Sequence, residues 1–134
     1  MSTSRYNLGM LARYKIYRGK PPADVHLPEG IRQDTRKHTR HCLRPYTEIV
    51  SEYLANPSTE AWKRFKSSYL RNLEERWEAD PTPFNDLAGL ATGENVYIGC
   101  SCPTAKNPEV KHCHTVLALK FMKERYPALE VEFP

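Results

Sequence analysis

The chain has 134 residues, with 20 Lys or Arg, 16 Asp or Glu, four Cys and a formal net charge of +4. This is the balance of an ordinary folded domain, and it excludes collagen-like, coiled-coil and fully disordered chains. No stretch approaches the roughly 20 consecutive apolar residues of a membrane span, and the start lacks a signal-peptide pattern, so we expect a cytoplasmic protein without a membrane partner. Thiols stay reduced in that compartment, which favours free thiols or metal ligands over disulfides.

Basic residues concentrate in the N-terminal third. Residues 1–46 carry 10 Lys or Arg against 3 Asp or Glu, whereas residues 47–134 carry 10 against 13. The densest basic stretch is residues 32–44, which includes Arg32, Arg36, Lys37, Arg40 and Arg44. Such a stretch either faces the phosphates of a nucleic acid or nucleotide, or is a solvated surface.

The first half of the chain predicts one strand and two helices. After residues 1–12, which we expect to be frayed, alternating side chains predict a strand over 13–18. Gly and Pro make 19–31 an irregular connection. Apolar residues at helical spacing then predict a short helix over 46–54 and a long one over 62–77.

The second half predicts two more helices and two more strands. A helix over 84–91 precedes a β-branched run over 95–100, which we interpret as a buried central strand. A helix from residue 113 or 114 to 126 follows, and alternation over 129–133 predicts a last strand. The pattern indicates a single α/β domain over residues 1–134, with a small Rossmann-like sheet covered by helices.

The most informative segment holds three of the four cysteines and two of the five histidines, namely Cys100, Cys102, His112, Cys113 and His114. In open α/β sheets, ligands bind outside the carboxyl ends of the strands. The predicted central strand ends at this segment and a predicted helix starts there. We therefore expect these side chains to meet at one strand-to-helix crossing.

Three accounts of this cluster remain open. In the first, the helix N-terminus holds a phosphate or carboxylate with help from Lys111 or Arg44, while Cys100, Cys102 and His112 line the site. An enzyme of this kind would use Cys113 as the nucleophile, or His114 as the general acid or base.

In the second account the cluster binds zinc, and in the third it is ordinary core. The zinc ligands would be Cys100, Cys102, Cys113 and one of His112, His114 or Cys42. The C-x-C spacing disfavours zinc unless the chain turns at Pro103, because common structural zinc sites pair their ligands as C-x2-C or wider. Free cysteines are also commonly buried as small apolar residues. Our interpretation of the sequence assigns no metal and no cofactor.

Several motifs of the chain recur together in one known family, namely Tyr14-Lys15-Ile16-Tyr17, Leu43-Arg44-Pro45, Trp62-x2-Phe65-x3-Tyr69-x3-Leu73, Cys100-x-Cys102 and Cys113-His114. Through them the sequence resembles the YeaO-like proteins, domain of unknown function 488, over about residues 13–126. Several members have C-x-E followed by C-H-R, onto which Cys100, Cys113 and His114 map. Cys102 stands where an acidic residue is frequent, and Thr115 stands where arginine is frequent. The resemblance implies a compact α/β, Rossmann-like fold and no established activity.

These observations together predict a domain that binds a small anionic, nucleotide-like ligand at the Cys/His crossing, with a thiol available for reaction. The alternative is a nucleic-acid-associated module that uses the basic stretch 32–44, with a structural or zinc-loaded cluster. Whether the protein is an enzyme is left open by the sequence.

Overall fold

The computed structural model describes residues 9–134, which contain a three-stranded parallel sheet. The strands are β1 (Met10–Lys15), β2 (Ile31–Asp34) and β3 (Asn95–Cys100), in the spatial order β1-β3-β2. Strand β3 is central, and Val96 and Ile98 on it are fully buried, as its β-branched run predicts. Because all three strands are parallel, their carboxyl ends lie at one edge of the sheet.

Four helices complete a small α/β fold around this sheet, two of them packed directly on it, which confirms the predicted fold class. They are α1 (Thr47–Ala55), α2 (Thr59–Ala79), α3 (Thr82–Gly93) and α4 (His114–Arg125). Helices α3 and α4 pack on β1 and β3, while α2 packs against α1 and α4. The Ser58 hydroxyl accepts a hydrogen bond from the Ala61 amide and caps α2. None of the helices in residues 9–134 is long and apolar enough to cross a membrane.

The first strand begins earlier than the sequence pattern predicts. It starts at Met10 rather than at residue 13, and Leu11 and Ala12 are 0% and 3% exposed. Two consecutive buried residues mean that both faces of the strand are covered here, which removes the alternation that identifies a half-exposed strand. Residues 10–12 are therefore not frayed. Residues 1–8, also expected to be frayed, lie outside the described part of the chain.

Two other strand predictions differ from the structure. Strand β2, sequence Ile-Arg-Gln-Asp, begins at the last residue of the predicted irregular connection, and its single apolar residue gives no strand signal. The predicted last strand is one parallel bridge between Leu11 and Val131. Phe133 is 45% exposed, so the alternation does not continue against the sheet.

Candidate ligand pocket and thiol cluster

Three thiols meet where β3 ends and α4 begins. Cys100 is the last residue of β3, Cys102 follows two positions later, and Cys113 precedes the first residue of α4. Their sulfur atoms all lie within 4.8 Å of one another, with 3.9 Å between Cys100 and Cys102. All the cysteines are free thiols, and Cys42 lies elsewhere, on a surface formed with Gln33 and Pro83. We refer to Cys100, Cys102 and Cys113 as the thiol cluster.

The three thiols differ in exposure and in charge preference. Cys113 is only 1% exposed, while Cys100 and Cys102 are partly accessible. Hydrogen bonds from Cys100 and then Cys113 lower the pKa of Cys102. The single S–H of Cys100 donates to a neighbouring sulfur, Cys102 first and Cys113 second, and this role as donor, together with burial, raises the pKa of Cys100. A hydrogen bond from Cys100 lowers the pKa of Cys113. The hydrogen bond that Cys113 donates to Cys102, together with the burial of Cys113, has the larger effect, so the pKa of Cys113 is raised overall. Negative charge in the cluster therefore concentrates on Cys102.

His114 is held as a neutral, buried imidazole. It is 5% exposed, and its Nε2 lies 2.9 Å from the Thr35 hydroxyl, which donates to the Gly99 carbonyl. Because the hydroxyl hydrogen is used on Gly99, Nε2 carries the ring hydrogen and donates to Thr35. Burial lowers the pKa of His114 to about 4. His114 thus helps to line the pocket as an uncharged group.

A layer of polar side chains orients the thiols. Asn107 donates from Nδ2 to the Cys102 sulfur at 3.3 Å and to the His112 carbonyl at 2.7 Å. The Thr115 hydroxyl donates to the Cys113 sulfur at 3.1 Å, and Arg13 Nε donates to that hydroxyl at 2.9 Å. Donors to sulfur favour the thiolate form and fix the direction in which each sulfur points.

The thiol cluster forms part of the wall of a cavity of about 310 Å³. Tyr53, Trp62 and Phe65 form an aromatic wall, and the ring of His112 stacks on Trp62 with 4.7 Å between ring centroids. Arg36, Lys37 and His38, from the loop after β2, form the basic rim of this cavity. The remaining lining residues are Pro45, Val50, Leu54, Ser101, Thr104, Asn107 and His114.

The arginine of the rim is held in one orientation. Arg36 pairs with Asp34 through Nε and Nη2, at distances of 2.8–3.1 Å, and its Nη1 lies 3.4 Å from the Ser101 hydroxyl. Burial raises the pKa of Asp34, but the hydrogen bonds from Arg36 lower it by more. The Nη1 edge of the guanidinium therefore remains directed toward the loop that carries Cys102.

Five of the seven predicted site residues come together in this cavity, and two do not. Cys100, Cys102, His112, Cys113 and His114 all line it. Arg44 does not, because its Nη1 donates to the His41 carbonyl and its guanidinium covers the ring of Tyr46. Lys111 is exposed on the 3-10 turn Val110–His112, outside the cavity lining.

The sequence does not predict the location of several residues of the site. Thr35 and Arg36 follow β2, and because the sequence pattern does not predict that strand, it does not place these two residues at the site. Asn107 lies in a loop of nine residues between two cysteine motifs, where no periodicity distinguishes it from its neighbours. The cation of the rim comes from the predicted basic stretch, but from Arg36 rather than Arg44.

Comparison with known proteins places this geometry within a family. No curated protein and no solved structure matches the chain. A family model described as DUF488-N3a, "Active DUF488-N3 subclade", matches residues 19–126, which include β2, β3, α1 to α4 and every residue of the thiol cluster. The chain therefore belongs to the DUF488 family, as its Cys/His motifs indicate.

Proposed function

We propose that this protein binds a small, anionic, nucleotide-like ligand in the cavity beside the thiol cluster. One observation carries the proposal: a single cavity has cations on its rim, aromatic rings on one wall and a convergent set of polar groups at its base. Cavities of roughly 300–1,000 Å³ that combine an apolar lining with a few directed polar groups are typical of small-molecule sites.

The two halves of the lining suit the two halves of such a ligand. The Arg36 Nη1 edge and the Lys37 ammonium suit a phosphate or carboxylate, because charged donors make the strongest hydrogen bonds to oxyanions. The stacked rings of Trp62 and His112 offer a flat surface for a planar heterocycle. The proposed ligand is therefore a flat ring joined to an anionic group.

The position in the fold supports the same proposal. The cavity lies at the carboxyl ends of β2 and β3, and the N-terminus of α4 opens onto it. Ligands of Rossmann-like and other open α/β sheets occupy this place, where helix N-termini favour anions. The Rossmann-like assignment belongs to this proposal, as does a cytoplasmic setting, which would keep the cysteines reduced.

An enzymatic version of this function would use the accessible thiol of the cluster. Cys113, our predicted nucleophile, is 1% exposed, and His114, our predicted acid or base, is 5% exposed. Cys102 is more accessible than either and lies on the cavity wall. The family description calls the subclade active and names neither a reaction nor a site. We propose Cys102 as the thiol nearest to a bound ligand.

The first experiment uses Trp62 as a reporter of ligand binding. The chain has two tryptophans, and Trp77 lies away from the cavity with its Nε1 directed at the Tyr126 hydroxyl. In Trp77→Phe protein, the tryptophan fluorescence comes from Trp62 alone. We expect AMP to change this fluorescence saturably. Adenosine has only the planar ring and inorganic phosphate only the anionic group, so each should change the fluorescence only at higher concentration than AMP.

The contribution of the rim is tested in the same background. Replacing Lys37 by Gln, alone and with Arg36→Gln, should weaken AMP binding by about 10-fold or more, since a hydrogen bond to a charged group contributes roughly 1.5–3 kcal/mol. Arg40→Gln is the matched control, because Arg40 belongs to the same basic stretch and does not line the cavity. Absence of any saturable response to AMP, or an equal loss in Arg40→Gln, would contradict the proposal.

A further inference from the structure

We propose that the thiol cluster is a metal site of the zinc type, with three thiolate ligands and one open coordination position that faces the cavity. The site goes beyond the proposed ligand binding. Its test uses no organic ligand, so the two proposals can fail independently.

The sulfur positions have the spacing that such a site requires. Zinc–sulfur bonds of about 2.3 Å in a tetrahedron place neighbouring sulfurs about 3.8 Å apart. The Cys100 and Cys102 sulfurs are 3.9 Å apart, and all three sulfurs lie within 4.8 Å of one another. A metal ion at their centre therefore needs only small side-chain rotations.

The chain turn after β3 compensates for the short C-x-C spacing. Strand β3 ends at Cys100 and Cys102 already belongs to the loop, so the two thiols are not held at the separation of residues i and i+2 of a regular strand. The backbone there is tied to β1, because Arg13 Nη2 donates to the Cys102 carbonyl and Lys15 Nζ donates to the Pro103 carbonyl. These bonds fix the loop so that Cys102 returns toward Cys100 and Cys113.

The surroundings of the sulfurs supply what thiolate ligands need. Metal-bound thiolates are stabilised by donors from outside the coordination sphere. Asn107 donates to Cys102 and Thr115 donates to Cys113, and the Arg13 guanidinium stands behind Thr115. Soft thiolate sets of this kind select zinc and related soft cations over magnesium or calcium.

A fourth protein ligand is not in place among residues 9–134. The possible metal ligands that lie close together in this range are only the three sulfurs of the thiol cluster, with no His, Asp or Glu among them. The Nε2 of His114 is engaged with Thr35, and Nδ1 of His112 lies 3.4 Å from the Tyr53 hydroxyl. Sites with three protein ligands leave one position for water or a ligand, as catalytic zinc sites do. Since each of the three cysteines lines the cavity, that position opens toward the proposed ligand.

The test is a titration of reduced, chelator-treated full-length protein with Co²⁺. The absorption spectrum of bound Co²⁺ depends on the atoms that coordinate the ion. We expect a thiolate-to-Co²⁺ charge-transfer band that saturates at one Co²⁺ per chain, and its loss when one equivalent of Zn²⁺ is added. In the Co²⁺-loaded protein, before Zn²⁺ is added, azide should shift the visible Co²⁺ bands, because the fourth position is open. Absence of the charge-transfer band, or bands that azide leaves unchanged, would overturn the proposal in its stated form.

Variants distinguish the cluster from adventitious binding. Cys102→Ser should abolish the band, and its partly exposed position makes retention of the fold, checked by circular dichroism, the expected result. Cys42→Ser is the matched control and should keep the full band, because Cys42 lies outside the cluster. Asn107→Ala keeps all three ligands and should weaken Zn²⁺ binding by about 10–100-fold. A full band in Cys102→Ser, or its loss in Cys42→Ser, would show that the cluster is not the site.

Discussion

Single side chains outside the thiol cluster hold neighbouring segments of the fold together. His41, within the basic stretch 32–44, is an example. Its Nδ1 accepts a hydrogen bond from the Leu43 amide at 3.1 Å, and its Nε2 lies 2.6 Å from Gln33 Oε1. An Nδ1 that accepts an N–H carries no hydrogen, so the ring is neutral and its Nε2–H donates to Gln33. One tautomer of one residue thus joins β2 to the segment that leads into α1.

This arrangement predicts a pH-dependent stability. Burial lowers the pKa of His41 from 6.5 to about 4, so protons bind the unfolded chain more tightly than the folded one. The stability contributed by neutral His41 is complete above pH 6.5 and is lost as the pH falls toward 4. In urea unfolding, the wild type should lose about 2 kcal/mol more than His41→Asn between pH 7 and pH 5. The Asn oxygen can still accept from Leu43 but does not titrate, so parallel pH profiles would contradict this role.

At the scale of elements, the close approach of β1 to β3 sets the position of the thiol cluster. Gly99, next to Cys100, lies against Tyr14 and Ile16 of the neighbouring chain segment. A Cβ at Gly99 would stand 2.6 Å from a ring carbon of Tyr14 and 2.8 Å from Cδ1 of Ile16. Glycine is needed here for space, since its absent side chain lets these two side chains cover the end of β3.

The same substitution at two glycines should therefore have opposite effects. Gly99→Ala must displace Tyr14 or Ile16, and we expect a loss of about 1–3 kcal/mol in the free energy of unfolding. Gly89→Ala is the control, because Gly89 is exposed inside α3 with no atom within 4 Å of an added Cβ. Alanine there should stabilise the helix by about 0.5–1 kcal/mol. Chemical denaturation measures both, and equal effects of the two changes would refute the packing argument.

Periodic apolar patterns made the helices and the central strand predictable from the sequence. The 3.6-residue spacing of Trp62, Phe65 and Tyr69 identifies α2, and the β-branched run identifies β3. The predicted meeting of Cys100, Cys102 and Cys113 also agrees with the structure. Strand β2 was not predictable, because an edge strand with one apolar residue is stabilised by pairing with β3 rather than by its own composition. The residues that follow it, Thr35 and Arg36, were therefore not placed at the site.

Over the whole molecule, the basic N-terminal third divides into two groups of charges. Arg36 is paired with Asp34 and presents only its Nη1 edge to the cavity, while Arg44 is directed to the His41 carbonyl. Arg32, Lys37 and Arg40 are exposed to solvent. A few separated exposed cations suit one anionic group at the cavity rim better than a long phosphate backbone, which requires many cations in a row.

This charge distribution predicts how the protein discriminates a mononucleotide from a longer strand. If the cavity is the site, an oligonucleotide of about ten residues should bind within about 10-fold of AMP at 0.15 M salt, and Arg32→Gln with Arg40→Gln should change neither affinity. Fluorescence anisotropy of a labelled strand provides the measurement. Much tighter binding of the strand that weakens steeply with salt and depends on Arg32 and Arg40 would instead support the nucleic-acid module.

The account depends above all on the convergence of three sulfurs beside one cavity, and trivalent arsenic measures that convergence directly. Arsenite binds three thiolates at once only when their sulfurs can surround one atom. After reaction of the reduced protein with one equivalent of arsenite, native mass spectrometry should detect one arsenic per chain, bound with loss of three protons. A single thiol, that of Cys42, should then remain open to alkylation. No arsenic adduct, or an adduct with loss of three protons that survives in Cys113→Ser or Cys102→Ser, would contradict the account.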